Sequence, residues 1–424
     1  MRINKLSSVV IIFVFVLAGG KFSVANSTAL TVRAGIGYDF VSQQYFIDSV
    51  RFSGSDSLTE LSLLEKDYLD DKKALLSVSF NPDSKGHYSL EGSWEQTSEL
   101  FRAGGRGFLS FGDFYNQLQA ELNVDIKERY RGDIIEGEEM TILDGTIRLK
   151  KQLADNFNGK ISLSGESVIY DTVGTYIYNY SRLRSYIELN YITENYNSIY
   201  LTFGAEKRYV PDTSHLDYNL FRGGMGYTGS VMDGSTSAEV SFESKDYNQI
   251  DDPDDYFLTM LHADLRFSIS DRLDLITDFE MEHYNFSEEN YINEDYYQTH
   301  LGLYTVWEMG DFSFSLGPEI EFLTIDSKSE NDDDYFELLG FAGFDYFQGF
   351  VFLFLDNQFG HRRYLNNPIL YSDFVFDRVS IIGSLSIFWN LNLDVLLSAE
   401  WEWHQNESDD SRLYLLSSSL TYSF

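Results

Sequence analysis

Cysteine is absent from the 424 residues, and there are only 5 prolines. Without a thiol the chain carries neither a disulfide scaffold nor the cysteine-linked lipid of a lipoprotein. Basic residues are in short supply: 31 Lys and Arg stand against 67 Asp and Glu, a formal charge of −36. Phosphate contacts need a basic surface, so nucleic acid is excluded as a partner. Long apolar runs are missing too. The one continuous stretch, Val9 to Ala18, falls well short of the roughly 20 residues a membrane-crossing helix needs. It follows Arg2 and Lys5 and precedes Ser23-Val24-Ala25, the pattern of a secretory signal peptide over residues 1–25 with cleavage after Ala25. The mature chain is then a single domain over residues 26–424.

Catalytic signatures are absent as well. There is no HExxH zinc motif, no phosphate loop and no nucleophile elbow. The histidines His87, His215, His262, His283, His300, His361 and His404 are dispersed, and no spacing pairs one with a nucleophile. We therefore expect no enzyme, no cofactor and no metal. Aspartate clusters around Asp251 and Asp332 lack the spaced ligand pattern of a calcium loop and read as solvated loop charge.

What the chain does have is aromatics, 34 Phe, 30 Tyr and 5 Trp, and alternation with period two along almost its whole length. From Gln117 to Ile126, Leu118, Ala120, Leu122, Val124 and Ile126 oppose Gln117, Gln119, Glu121, Asn123 and Asp125. Leu273, Leu275, Thr277, Phe279 and Met281 oppose Asp274, Ile276, Asp278 and Glu280; Phe312, Phe314, Leu316, Ile320 and Phe322 oppose Ser313, Ser315, Gly317, Glu319 and Glu321. Leu393, Val395, Leu397, Ala399, Trp401 and Trp403 oppose Asp394, Ser398, Glu400 and Glu402. So many carboxylates on one face would be ruinous in a dry core. They are natural if that face lines a wet lumen and the other meets lipid.

At the carboxyl end, Phe424, Tyr422, Leu420 and Leu416 share one face, and Ser423, Thr421, Ser419 and Ser417 the other. A last strand with an aromatic terminal residue resembles the closing strand of bacterial outer-membrane β-barrels of the porin-like kind. The resemblance covers the whole mature chain but is architectural and identifies no subfamily. It implies residence in the bacterial outer membrane among lipid and lipopolysaccharide, insertion by the barrel assembly machinery reading Phe424, Tyr422 and Leu420, passive movement of small solutes or ions, and often a homotrimer.

The expected fold is all-β: a closed antiparallel transmembrane barrel of about 18–20 strands. Short turns such as Ala154-Asp155-Asn156, Ser270-Asp271-Arg272 and Gly310-Asp311 alternate with longer acidic connections such as residues 287–294 and 327–334. The count turns on Gly104-Gly105-Arg106-Gly107, which fits a bent strand or a loop.

Continuing the alternation turns Arg148, Lys150, Arg182, Arg184, Arg208 and Arg222 inward. Later strands turn Glu239, Glu243, Asp274, Asp278, Glu280, Glu319, Glu321, Glu400 and Glu402 inward. A basic arc would then face an acidic arc across the pore and filter ions; alternatively these groups are salt bridges within the wall. The leading functional expectation is a diffusion channel with a charged lumen. The others are an export barrel for an anionic polymer such as an exopolysaccharide, guided by the arginines, and a structural or adhesive surface barrel.

Overall fold

In the computed structural model, the described residues are 30–47, 52–54, 57–59, 63–81, 88–97, 100–113, 116–129, 139–171, 178–211, 213–231, 234–248, 254–287, 295–326, 334–365, 373–388, 390–404 and 410–423. The expected signal peptide, Phe424 and most of the acidic connections lie outside them.

Twenty strands close into one antiparallel sheet. They are β1 (Leu30–Ile47), β4 (Leu63–Phe80), β5 (Tyr88–Gln96), β6 (Leu100–Gly112), β7 (Gln117–Arg129), β8 (Met140–Ala154), β9 (Phe157–Tyr170), β10 (Tyr180–Ile192), β11 (Ser198–Tyr209) and β12 (Tyr218–Val231). The wall continues with β13 (Gly234–Tyr247), β14 (Tyr256–Ser270), β15 (Leu273–Phe286), β16 (Tyr296–Met309), β17 (Phe312–Ile325), β18 (Tyr335–Gln348), β19 (Val351–Tyr364), β20 (Phe374–Phe388), β21 (Leu391–His404) and β22 (Ser411–Ser423). A small ribbon, β2 (Phe52–Gly54) with β3 (Ser57–Thr59), stands apart between β1 and β4.

Every barrel strand pairs with its sequence neighbour, and β22 returns to β1, with Ala34 opposite Tyr422 and Phe40 opposite Leu416. Closure matters because an open edge in lipid would leave a row of backbone groups without partners. The glycine-rich segment settles as strand: Gly104, Gly105 and Gly107 in β6 pair with Ser93, Gly92 and Leu90. This fixes the count at the upper end of the expected range.

At one rim the connections are tight. Asp155 and Asn156 link β8 to β9, and two-residue turns link β14 to β15, β16 to β17 and β18 to β19. Gly310 and Gly349 in two of these turns take positive φ, 68° and 49°, which a residue without a Cβ adopts at no steric cost. At the other rim most connections are longer. Residues 48–62 form the longest, and the rest run to about ten residues at most. Twenty strands about 4.8 Å apart, tilted by about 40°, give a backbone radius of about 20 Å, further than any side chain reaches inward.

Candidate functional site

Period-two alternation splits each strand into two sets. One set is large, apolar and bare. Leu183 is 63% exposed, Phe221 61%, Ile36 67% and Phe314 38%. These residues form a belt around the outside, and only lipid covers such a surface without penalty. Tyr422 belongs to this outer set, and so does Leu420, which pairs with Ile36.

The other set faces the lumen and is polar, and its charges are engaged across the strands. Arg148 lies 3.6 Å from Glu121. Arg182 bridges Glu166 at 2.8 Å and Glu206 at 3.5 Å, and Arg184 reaches Glu206 at 2.9 Å. Arg222 pairs with Glu243. The Arg208 guanidinium lies 4.6 Å from the ring centre of Tyr180, and Lys150 sits between Gln117 and Lys160. On the later strands Arg266 holds Asp274, and Arg378 donates to Glu400 at 2.6 Å. Glu402 accepts from Ser411 at 2.8 Å and lies 3.7 Å from His404. Four of the six groups of the expected basic arc, Arg148, Arg182, Arg184 and Arg222, are therefore matched locally by carboxylates on adjacent strands.

From β13 to β17 the pattern changes. Glu239 accepts a bond from Tyr200 (2.8 Å), Glu282 from Tyr296 (2.7 Å), and Glu321 from Tyr335 (2.5 Å) and Gln298 (2.9 Å). His262 touches Asp264 and Glu280 at 2.7 and 3.0 Å, and His300 touches Asp278 and Glu319 at 3.2 and 3.3 Å. Among the described residues none of these carboxylates forms an ion pair with Lys or Arg. This sector of the wall keeps its negative charge while β8 to β12 largely cancel theirs.

Two features were not anticipated from the sequence. One is a row of tyrosines at the first position of every second strand from β10 to β18. Each donates its hydroxyl to a glutamate on the preceding strand: Tyr180 to Glu166 (3.1 Å), Tyr218 to Glu206 (2.6 Å), Tyr256 to Glu243 (2.5 Å), then Tyr296 and Tyr335 as above. The residue before every second strand accepts a backbone N–H across the connection, Asn179 before β10 and an aspartate before each of β12, β14, β16, β18, β20 and β22. Asp217 takes that of Val210 at 2.6 Å, Asp255 that of Tyr247 at 2.6 Å and Asp295 that of Phe286 at 2.7 Å. Asp334 takes Ile325 at 2.6 Å, Asp373 Tyr364 at 2.9 Å and Asp410 His404 at 2.9 Å. The signal was present, because these aspartates recur about every 39 residues and most stand directly before tyrosine. The other feature is an aromatic patch of Leu339, Phe374, Phe376 and Tyr364, beside Arg362, whose guanidinium lies 3.9 Å from the Tyr335 ring centre and bonds Glu337 at 2.5 Å.

No family model and no curated protein matches this chain. Solved structures do match. The FrpB iron transporter from Neisseria meningitidis aligns over 94% of this chain and 82% of its own, at 10% identity and a TM-score of 0.58. The copper transporter OprC covers 93% and 80% at 11% identity and 0.54. The siderophore receptor PirA from Acinetobacter baumannii covers 92% and 80% at 10% identity and 0.51. The fold is that of a bacterial outer-membrane β-barrel. With its closed hydrogen bonding and apolar belt, this barrel is an outer-membrane protein; identity this low establishes the fold and nothing of the cargo.

Proposed function

We propose that this barrel is a passive channel for small solutes and ions, with a preference for cations. The observation that carries the reading is the acidic sector from β13 to β17, where Glu239, Asp264, Asp278, Glu280, Glu282, Glu319 and Glu321 face the lumen with imidazole, hydroxyl and amide partners rather than lysine or arginine, while Glu243 and Asp274 are paired with Arg222 and Arg266. Fixed negative charge on the wall of a wide pore concentrates cations along it, the more so where the walls exclude solvent. The lengths of the connections agree with an open lumen, since none between barrel strands is long enough to form a domain of its own. An export role for an anionic polymer is less well served, because Arg182, Arg184 and Arg222 are already engaged by carboxylates.

The test is the reversal potential of the purified protein in planar bilayers under a potassium chloride gradient. Cations should be favoured, more strongly at low salt, because the Debye length shrinks to about 10 Å at 0.1 M. Glu319→Gln with Glu321→Gln should shift the potential toward anions. Arg182→Gln with Arg184→Gln should shift it toward cations by freeing Glu166 and Glu206. If conductance persists and neither double variant moves the potential, lumen charge does not filter ions here and the reading fails.

A further inference from the structure

The acidic sector contains a feature that ion filtering does not require. Midway along the wall, Asp264 of β14 stands directly opposite Asp278 of β15 in the strand register. Like charges facing each other across a pair of strands destabilise the pair. Among the described residues their ion pairs are with imidazoles alone. The His262 ring lies beside them, and one nitrogen or oxygen from each of His262, Asp264 and Asp278 falls within 4.8 Å of the others. All three side chains are half-buried in the wall and open to the lumen.

Neighbouring side chains hold all three groups in place. The far nitrogen of His262, Nδ1, lies 3.0 Å from Glu280 Oε1, while Nε2 points at Asp264 Oδ2 at 2.7 Å. The Glu280 carboxylate on Nδ1 favours the tautomer that presents Nε2 to the two aspartates, the arrangement that accompanies metal-ligating histidines, and an ion seated there takes the place of the proton between Nε2 and Asp264 Oδ2. Asp264 Oδ2 also accepts the Ser237 hydroxyl at 2.9 Å, and Asp278 Oδ1 lies 3.2 Å from His300 Nδ1. Each inner group is thus oriented by an outer one.

We propose that His262, Asp264 and Asp278 form a binding site for a divalent transition-metal cation on the lumen wall, oriented by Glu280 and Ser237. One imidazole nitrogen and two carboxylate oxygens suit zinc and its first-row neighbours better than magnesium or calcium, which take all-oxygen shells. Three protein ligands leave coordination positions open to lumen water, so ions exchange with the pore rather than being sealed in as in a four-ligand structural site. Two carboxylates and one neutral imidazole cancel the charge of one divalent ion, which removes the repulsion between Asp264 and Asp278.

The site does not depend on the protein conducting ions, so its test is binding. Zinc chloride is titrated by calorimetry into the detergent-solubilised full-length protein, with magnesium chloride as competitor. One equivalent of zinc should bind, and a hundredfold excess of magnesium should leave it in place. Asp278→Asn should weaken binding at least tenfold. His262→Gln should do the same. Glu280→Gln, which touches only the outer nitrogen, should weaken it by about 10- to 100-fold, as loss of an orienting partner does. Asp394→Asn, on β21, should leave it unchanged, and circular dichroism should show every variant folded. Absence of zinc binding by the parent protein, equal affinity in His262→Gln, or displacement by equimolar magnesium would each overturn the proposal. In bilayers, zinc-dependent loss of conductance that vanishes in Asp278→Asn would place the bound ion in the conduction path.

Discussion

Replacing Arg362 by methionine isolates the energetics of one buried charge. Glu337 is 2% exposed and receives the Arg362 Nε at 2.5 Å. Arg362 lies under Tyr335 at 3.9 Å and near Phe374 at 5.5 Å. Methionine keeps the apolar stem against those rings and removes the guanidinium, which leaves Glu337 buried beside aromatic groups without its hydrogen-bonded cation. Breaking one partner out of such a pair costs about 3–5 kcal/mol. The equilibrium constant for folding should fall by about 100-fold to 4,000-fold, at about 1.4 kcal/mol per decade. Removing both charges tells a different story: Arg362→Met with Glu337→Gln should recover most of the loss, since a pair replaced by neutral groups of similar volume is often near neutral. The assay is reversible guanidinium unfolding from lipid vesicles followed by tryptophan fluorescence, with midpoint and slope compared across the parent, both single variants and the double. A loss below about 1 kcal/mol in Arg362→Met, or a double variant no better than the sum of the singles, would refute the argument that the pair is valued mainly for neutralising Glu337.

Three other outcomes follow from the wall. Tyr335→Phe removes the hydroxyl bonded to Glu321 at 2.5 Å and should lower stability in the same assay by about 1.5–3 kcal/mol, the range for a bond to a charged group. Gly360→Val puts a side chain where a Cβ would already lie 2.5 Å from the Phe376 ring; because Phe376 is wholly buried, the variant should fold poorly, which heat-resistant mobility on a gel would show. Deleting Phe424 should reduce insertion into the outer membrane far more than it reduces synthesis, read by surface labelling of intact cells, whereas unchanged surface levels would exclude a role for that residue in assembly.

The architecture was legible because the two strand faces meet different solvents. Lipid on one side and water on the other force the alternation seen from Gln117 to Ile126 and from Leu393 to Trp403, and the pattern survives without help from packing detail. That the barrel closes, with no strand left as an open edge in lipid, followed from the need to pair every backbone group. The site was less legible. Alternation assigns Arg182 to the inner face but says nothing about which carboxylate it meets, because Glu166 and Glu206 come within reach only through the register of β9 and β11. Two arcs of opposite sign therefore read differently once neighbouring strands were paired. His262 and Asp278 are 16 positions apart, and His300 lies further along still, so no spacing rule joins them; the turn at Asp271-Arg272 does so by fixing how β14 meets β15. The tyrosine row was readable as a recurring Asp-Tyr dipeptide, a repeat too weakly conserved in its remaining positions to stand out.

That repeat makes the wall modular. From Asp217 onward each hairpin brings its own acceptor for the backbone N–H across the connection, and several bring their own tyrosine donor and glutamate acceptor at the joint with the next strand. Gain or loss of one such unit leaves the internal contacts of its neighbours in place while changing the circumference by two strands in twenty. Because barrel diameter grows roughly linearly with strand number, one duplication of about 39 residues would widen the bore by about a tenth. Pore calibre in this architecture is thus a quantity that gene duplication can adjust in discrete steps, without redesigning any single joint.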